Sequence, residues 1–175
     1  MNIELIKYAV IIALVMLITY FARKASLKNP VDTQKGITIY RLPKLYGIIG
    51  LISVGIGLIP LIVGIADFSI ETLKTVTFLF LLFGGLGMLL VLMTWVHKIM
   101  ISEETIIQKN MLGKIKTVKF TEIEKIRFNK ITTELIIKSS NGKIRCHENL
   151  VGFGQLVNTL VEKTNFKREE LGLKQ

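Results

Sequence analysis

Few side chains in this chain have the potential for nucleophilic, acid–base or metal chemistry. There are two histidines, His97 and His147, one cysteine, Cys146, and thirteen carboxylates. Cys146 and His147 are neighbours in a segment that alternates like a β-strand. Successive strand residues point to opposite faces, so the pair can neither share a metal nor act as nucleophile and base. Cys146 is expected in the core and His147 at the surface. The carboxylates fall in turns or at exposed strand positions, with no pair in an apolar setting that would separate an acid from a base. Of the glycine clusters, Gly84-Gly85-Leu86-Gly87 lies inside a long apolar run. Gly152-Phe153-Gly154 opens a helix but lacks the strand that precedes a dinucleotide site. No catalytic residue, metal or other cofactor is expected, and the lone cysteine excludes an intrachain disulfide.

The remaining chemistry is that of surfaces. Half of the 175 residues are hydrophobic and the mean hydropathy is +0.51. The excess lies before Val96. Leu45 to Ala66 and Thr75 to Val96 each hold 22 residues without a charge, whereas about 20 helical residues cross a bilayer core of roughly 30 Å. Spans are predicted at 45–66 and 75–96. Another is expected at about 5–22, where Leu5, Ile6 and a snorkelling Lys7 extend the uncharged run from Tyr8 to Ala22 to about 18 residues. A cleaved signal peptide competes for that segment. Glu4 dilutes its basic start and Ala22-Arg23-Lys24 is no small-x-small site, so an uncleaved anchor is expected.

Charge orients these spans. The net charge is +10, which in a chain with spans points to anionic lipid rather than nucleic acid, since no exposed aromatics interleave the basic residues. The linker 23–44 carries Arg23, Lys24, Lys28, Lys35, Arg41 and Lys44 against Asp32 alone, with one short strand at Ile37 to Tyr40. The loop 67–74 has Lys74 against Asp67 and Glu71. The positive-inside bias places the linker in the cytoplasm, the N-terminus and the loop 67–74 outside, and everything after Val96 in the cytoplasm.

Within the second span Gly50, Gly57 and Gly64 recur every seven residues with Ser53 near their face, and Gly84, Gly85 and Gly87 notch the third. Small residues let helices approach closely in lipid. The stripe is expected to pack on the third span, or alternatively on a second copy. Pro60 should kink its helix. With no ionisable residue inside either long span, transport is disfavoured. Trp95 sits at interfacial depth.

From Lys98 the pattern shortens to strand-length alternation: Ile99 with Ile101, Thr105 to Asn110, Val118 with Phe120, Ile126 with Phe128, Leu135 with Ile137, and Ile144 with Cys146. Asn141-Gly142 signals a two-residue hairpin. A helix from about Leu150 to Lys163 carries Phe153, Leu156, Val157, Leu160 and Val161 on one stripe. The expected fold is a membrane α-helical part with three transmembrane helices (1–96), a small antiparallel β sandwich or open barrel capped by one helix (97–164), and a polar tail (165–175).

The segments Ile101-Ser102-Glu103-Glu104-Thr105-Ile106, Gly113-Lys114, Phe120-Thr121-Glu122-Ile123-Glu124-Lys125-Ile126 and Leu150-Val151-Gly152-Phe153 resemble bacterial pleckstrin-homology-like (PH-like) domains fused to membrane spans, over roughly 96–164. The resemblance implies a non-enzymatic domain for protein interaction, assembly or membrane-surface recognition. Glu103 and Glu104 stand where phosphoinositide-binding relatives are basic. The surface expected to meet anionic headgroups, a membrane-protein partner or a second copy of the chain itself is therefore Lys114, Lys116 and Lys119, with Arg23, Lys24 and Lys28 of the linker. The leading expectation is an interaction or assembly module at the inner membrane face. Self-protection against bacteriocins or other membrane-active peptides, and anionic-lipid sensing, are its rivals.

Overall fold

The computed structural model describes residues 20, 24, 31–34, 36–64 and 69–172. The span expected at 5–22 lies outside the described residues except for Tyr20, as do Arg23 and Lys28 of the basic linker.

Two short strands, β1 (Asp32–Gln34) and β2 (Ile37–Tyr40), form an antiparallel hairpin. Leu42-Pro43 then leads into helix α1 (Lys44–Gly64), which continues through Pro60. Helix α2 runs from Ile70 to Trp95. Both are long and apolar enough to cross a membrane, and little of either is covered by the rest of the chain. Ile52, Ile59, Ile62, Phe78, Leu81 and Leu86 are all exposed.

α2 begins earlier than its apolar run. Ser69 caps it, its hydroxyl accepting from Thr72 N at 3.1 Å, and Glu71 occupies the first turn, where a carboxylate complements the helix dipole. Most of the polar segment expected as a loop, including Lys74, is thus helical. Midway, Phe80–Gly85 widens into a π-helical turn.

The β-unit follows: β3 (Lys98–Ile101), β4 (Thr105–Lys109), β5 (Ile115–Lys119), β6 (Ile123–Asn129), β7 (Glu134–Ser139) and β8 (Gly142–His147). They make a five-stranded sheet in the order β1-β2-β3-β4-β5 and a three-stranded sheet β6-β7-β8. The last hairpin turns at Ser140-Asn141, one residue before the expected pair, because Ser139 pairs with Gly142. Helix α3 (Phe153–Lys163) closes the unit with Leu156, Val157 and Leu160 buried. Its start is set by Gly152 at φ +74°, a conformation that suits glycine.

One difference reorganises the domain picture. The strand at Ile37 to Tyr40 is not an isolated element of a linker. It pairs with β3 in the register Tyr40 to Ile99 and Thr38 to Ile101. Tyr40 is among the most buried side chains, packed in one core with Ile99, Ile106, Leu135 and Leu160. The backbone N–H of Val151 also bonds Arg41 O at 2.8 Å. The β-unit therefore begins at Asp32, and the pair α1–α2 is an insertion between two neighbouring strands.

Candidate functional site

The end of the larger sheet that meets the helices is fixed twice by the chain. β2 runs out into α1, and β3 starts after only Val96 and His97 have followed α2. Lys98 lies opposite Lys109, and Lys109 opposite Ile115, so the β4–β5 hairpin at 110–114 returns to the same end. Asn110 builds that hairpin. Its Oδ1 accepts from Leu112 N at 3.0 Å and Lys114 N at 2.8 Å, while Gly113 takes φ +80°. The opposite end of the sheet holds Glu103 and Glu104 in the β3–β4 turn and Glu122 after β5.

Beside the hairpin is a basic cleft of about 180 Å³, lined by Lys114 and Lys116 together with Lys143 and Arg145 of β8, and walled by Gln108 and Asn110. Lys116 leans across it, for its Nζ would stand 3.9 Å from a β-carbon built on Gly142. Arg145 is tied by a 3.6 Å ion pair to Glu134. Among the described residues no carboxylate lines the cleft itself. Four cations converging on so small a volume favour an anionic group with several oxygens.

Lys119, expected with Lys114 and Lys116, stands apart from them. It pairs with Thr105 at the far end of β5, on the face opposite buried Val118. Lys143 and Arg145 were not foreseen. Their alternation with Ile144 and Cys146 marks them as an outward basic pair, but the hairpin they meet is remote in sequence. Lys24 is the one described member of its trio, its Nζ 5.9 Å from the Tyr20 ring centroid.

A polar network ties this end to the helices. The Gln108 amide nitrogen donates to Arg145 O and lies 3.2 Å from His97 Nε2. Asn149 Nδ2 donates to the Tyr46 hydroxyl at 3.0 Å, joining the loop before α3 to the start of α1. His147 Nδ1 accepts from Asn149 N at 3.1 Å, and Cys146 beside it is buried, its thiol pKa pushed up by burial. His97 Nδ1 is buried without a partner among the described residues.

His97 has a pKa below the ordinary 6.5, first through burial and then through the charge of His147, with Glu134 acting in the opposite direction. Because the native pKa is lowered, the unfolded chain takes the proton more readily. The neutral ring's contribution is complete above the ordinary value and is lost as pH falls through the native one. Thermal melts of the solubilised chain should therefore lose stability from about pH 7 to about pH 5, and His97→Gln should flatten that slope. An unaltered slope in the variant would exclude His97 as the cause.

Between the helices the glycine stripe is consumed within the chain. A β-carbon on Gly50 would sit 2.7 Å from Gly87 O, and one on Gly57 2.6 Å from Gly84 N. Ser53 Oγ donates to Phe83 O at 2.8 Å, inside the π-helical turn. Gly64 is the last residue of α1, and its packing lies outside the described part.

Compared with protein-family models, with curated proteins and with solved structures, the chain matches none.

Proposed function

We propose that this chain is a multi-pass plasma-membrane protein whose PH-like module serves, without catalysis, as an interaction and assembly platform at the inner membrane face. Three spans, an outside N-terminus and a cytoplasmic module follow from the apolar runs and the positive-inside bias. Two antiparallel sheets and a closing C-terminal helix support the PH-like assignment. The observation that carries the functional reading is the convergence of Lys114, Lys116, Lys143 and Arg145 at the end of the module anchored to the helices. The test is affinity capture of the tagged full-length protein from gently solubilised, cross-linked membranes. A reproducible near-stoichiometric membrane partner supports the platform. Recovery of the protein alone counts against it.

The basic cleft also favours a second role, recognition of anionic lipid headgroups. Each cation near a charged membrane surface contributes about 1 kcal/mol. Replacing Lys116 and Lys143 by alanine should then weaken binding of an anionic headgroup by about 2 kcal/mol, roughly thirtyfold. Titrating short-chain anionic lipid into the protein in zwitterionic nanodiscs measures this. Equal affinity in wild type and variant would leave the cleft no part in headgroup binding.

A further inference from the structure

In the β-unit, large aliphatic side chains are exposed at three described positions: Leu112 at 75 %, Ile115 at 63 % and Ile131 at 93 %. Leu112 and Ile115 belong to one hairpin, and that hairpin lies at the end of the sheet where both helices attach. Lysines surround them: Lys114 and Lys116 follow in the hairpin, and Lys109 and Lys98 stand on the adjoining strands. The acidic turn of Glu103 and Glu104 is at the other end. The tip is also pre-shaped, since Asn110 holds Leu112 N and Lys114 N on one oxygen and Gly113 supplies the left-handed residue. Apolar side chains at a rigid tip ringed by cations match the two layers of an anionic bilayer surface, headgroups outside and acyl chains beneath.

We infer that the β4–β5 hairpin is a membrane-inserting element. Leu112 and Ile115 enter the acyl boundary of the same bilayer that α1 and α2 cross, and the flanking lysines engage anionic headgroups. The inference rests on the proposed membrane placement of α1 and α2. It goes beyond the interaction-platform role by giving the module a fixed face toward lipid.

The test uses the full-length chain in anionic nanodiscs, with an environment-sensitive fluorophore on one introduced cysteine. Cys146 is buried with its thiol pKa raised, so it should not compete for the label. Three positions are compared: Leu112→Cys at the tip, Leu89→Cys on the exposed face of α2, and Glu104→Cys at the far turn. Spin-labelled lipids should quench the label at 112 nearly as strongly as at 89 and leave 104 bright. Quenching at 89 but not at 112 would overturn the insertion while leaving the spans standing. No quenching at 89 would overturn the membrane placement and the insertion with it. Protection of 112 from an aqueous quencher without lipid quenching would assign the tip to a protein partner, and quenching at 104 would mean a recumbent module. Both outcomes reject the proposal.

Discussion

A fragment beginning at His97 will not yield a stable domain, although its composition is that of a small soluble protein. It lacks β2, and with it the buried Ile39 and Tyr40. Losing buried side chains of this size costs about 2–5 kcal/mol each, so their joint loss rivals the stability of a small domain, about 5–15 kcal/mol. β3 would also become an open edge, a template for aggregation. The remedy follows from the register. Arg41 and Lys98 lie just beyond the pair Tyr40–Ile99, so a hairpin loop of about four residues can replace the helices. The chain 31–41, such a loop, and then 98–172 should be monomeric and show cooperative melting, with the 97–175 fragment as the negative comparison. If the two fragments melt alike, β2 is dispensable.

Substitutions at the helix glycines should divide into two classes. Gly50→Ala and Gly57→Ala drive a β-carbon against the backbone of Gly87 and Gly84, so α1 and α2 must separate. Overpacking of this kind costs about 1–3 kcal/mol. Gly55→Ala and Gly85→Ala meet nothing within 4 Å and should be neutral or stabilise by about 0.5–1 kcal/mol through reduced backbone freedom. Ser53→Ala removes the bond to Phe83 O and should cost about 0.6 kcal/mol, the average for such bonds in a bilayer. Reversible unfolding in mixed detergent micelles measures the set. If all four glycine-to-alanine variants unfold at the same denaturant mole fraction, the seam is not where the helices meet.

The helices, most strands and the closing helix were legible because each is a local pattern: an uncharged run, an alternation, a stripe at i, i+3 and i+4. Even β2 was readable as a strand. Its partner was not, because nothing local in Ile37 to Tyr40 distinguishes pairing with Ile99 from an idle extended segment. The start of α2 was not legible, because Glu71 and Lys74 made its first turns look like a loop. At the candidate site, Lys114 and Lys116 were visible as a basic hairpin. Lys119 was grouped with them by proximity in sequence, although strand direction carries it to the other end. Lys143 and Arg145 join the site only through the meeting of two sheets, a tertiary fact that spacing does not encode.

The insertion of α1 and α2 between paired strands also bears on biogenesis. Fifty-seven residues separate Tyr40 from Lys98, so at about 5–20 residues per second β2 waits roughly 3–11 s for its partner to be made. Were the intervening chain an unstructured loop, closing it would cost about 3–4 kcal/mol in entropy. If α1 and α2 cross the membrane as proposed, they remove most of that cost, because a chain that enters and returns delivers both strands to one side, adjacent and antiparallel. On the proposed membrane placement, insertion into the bilayer is the step that brings the first half of the β-unit to the second. A nascent chain that failed to insert would then leave Tyr40 and Ile99 without their partners, and its failure would show as exposed core.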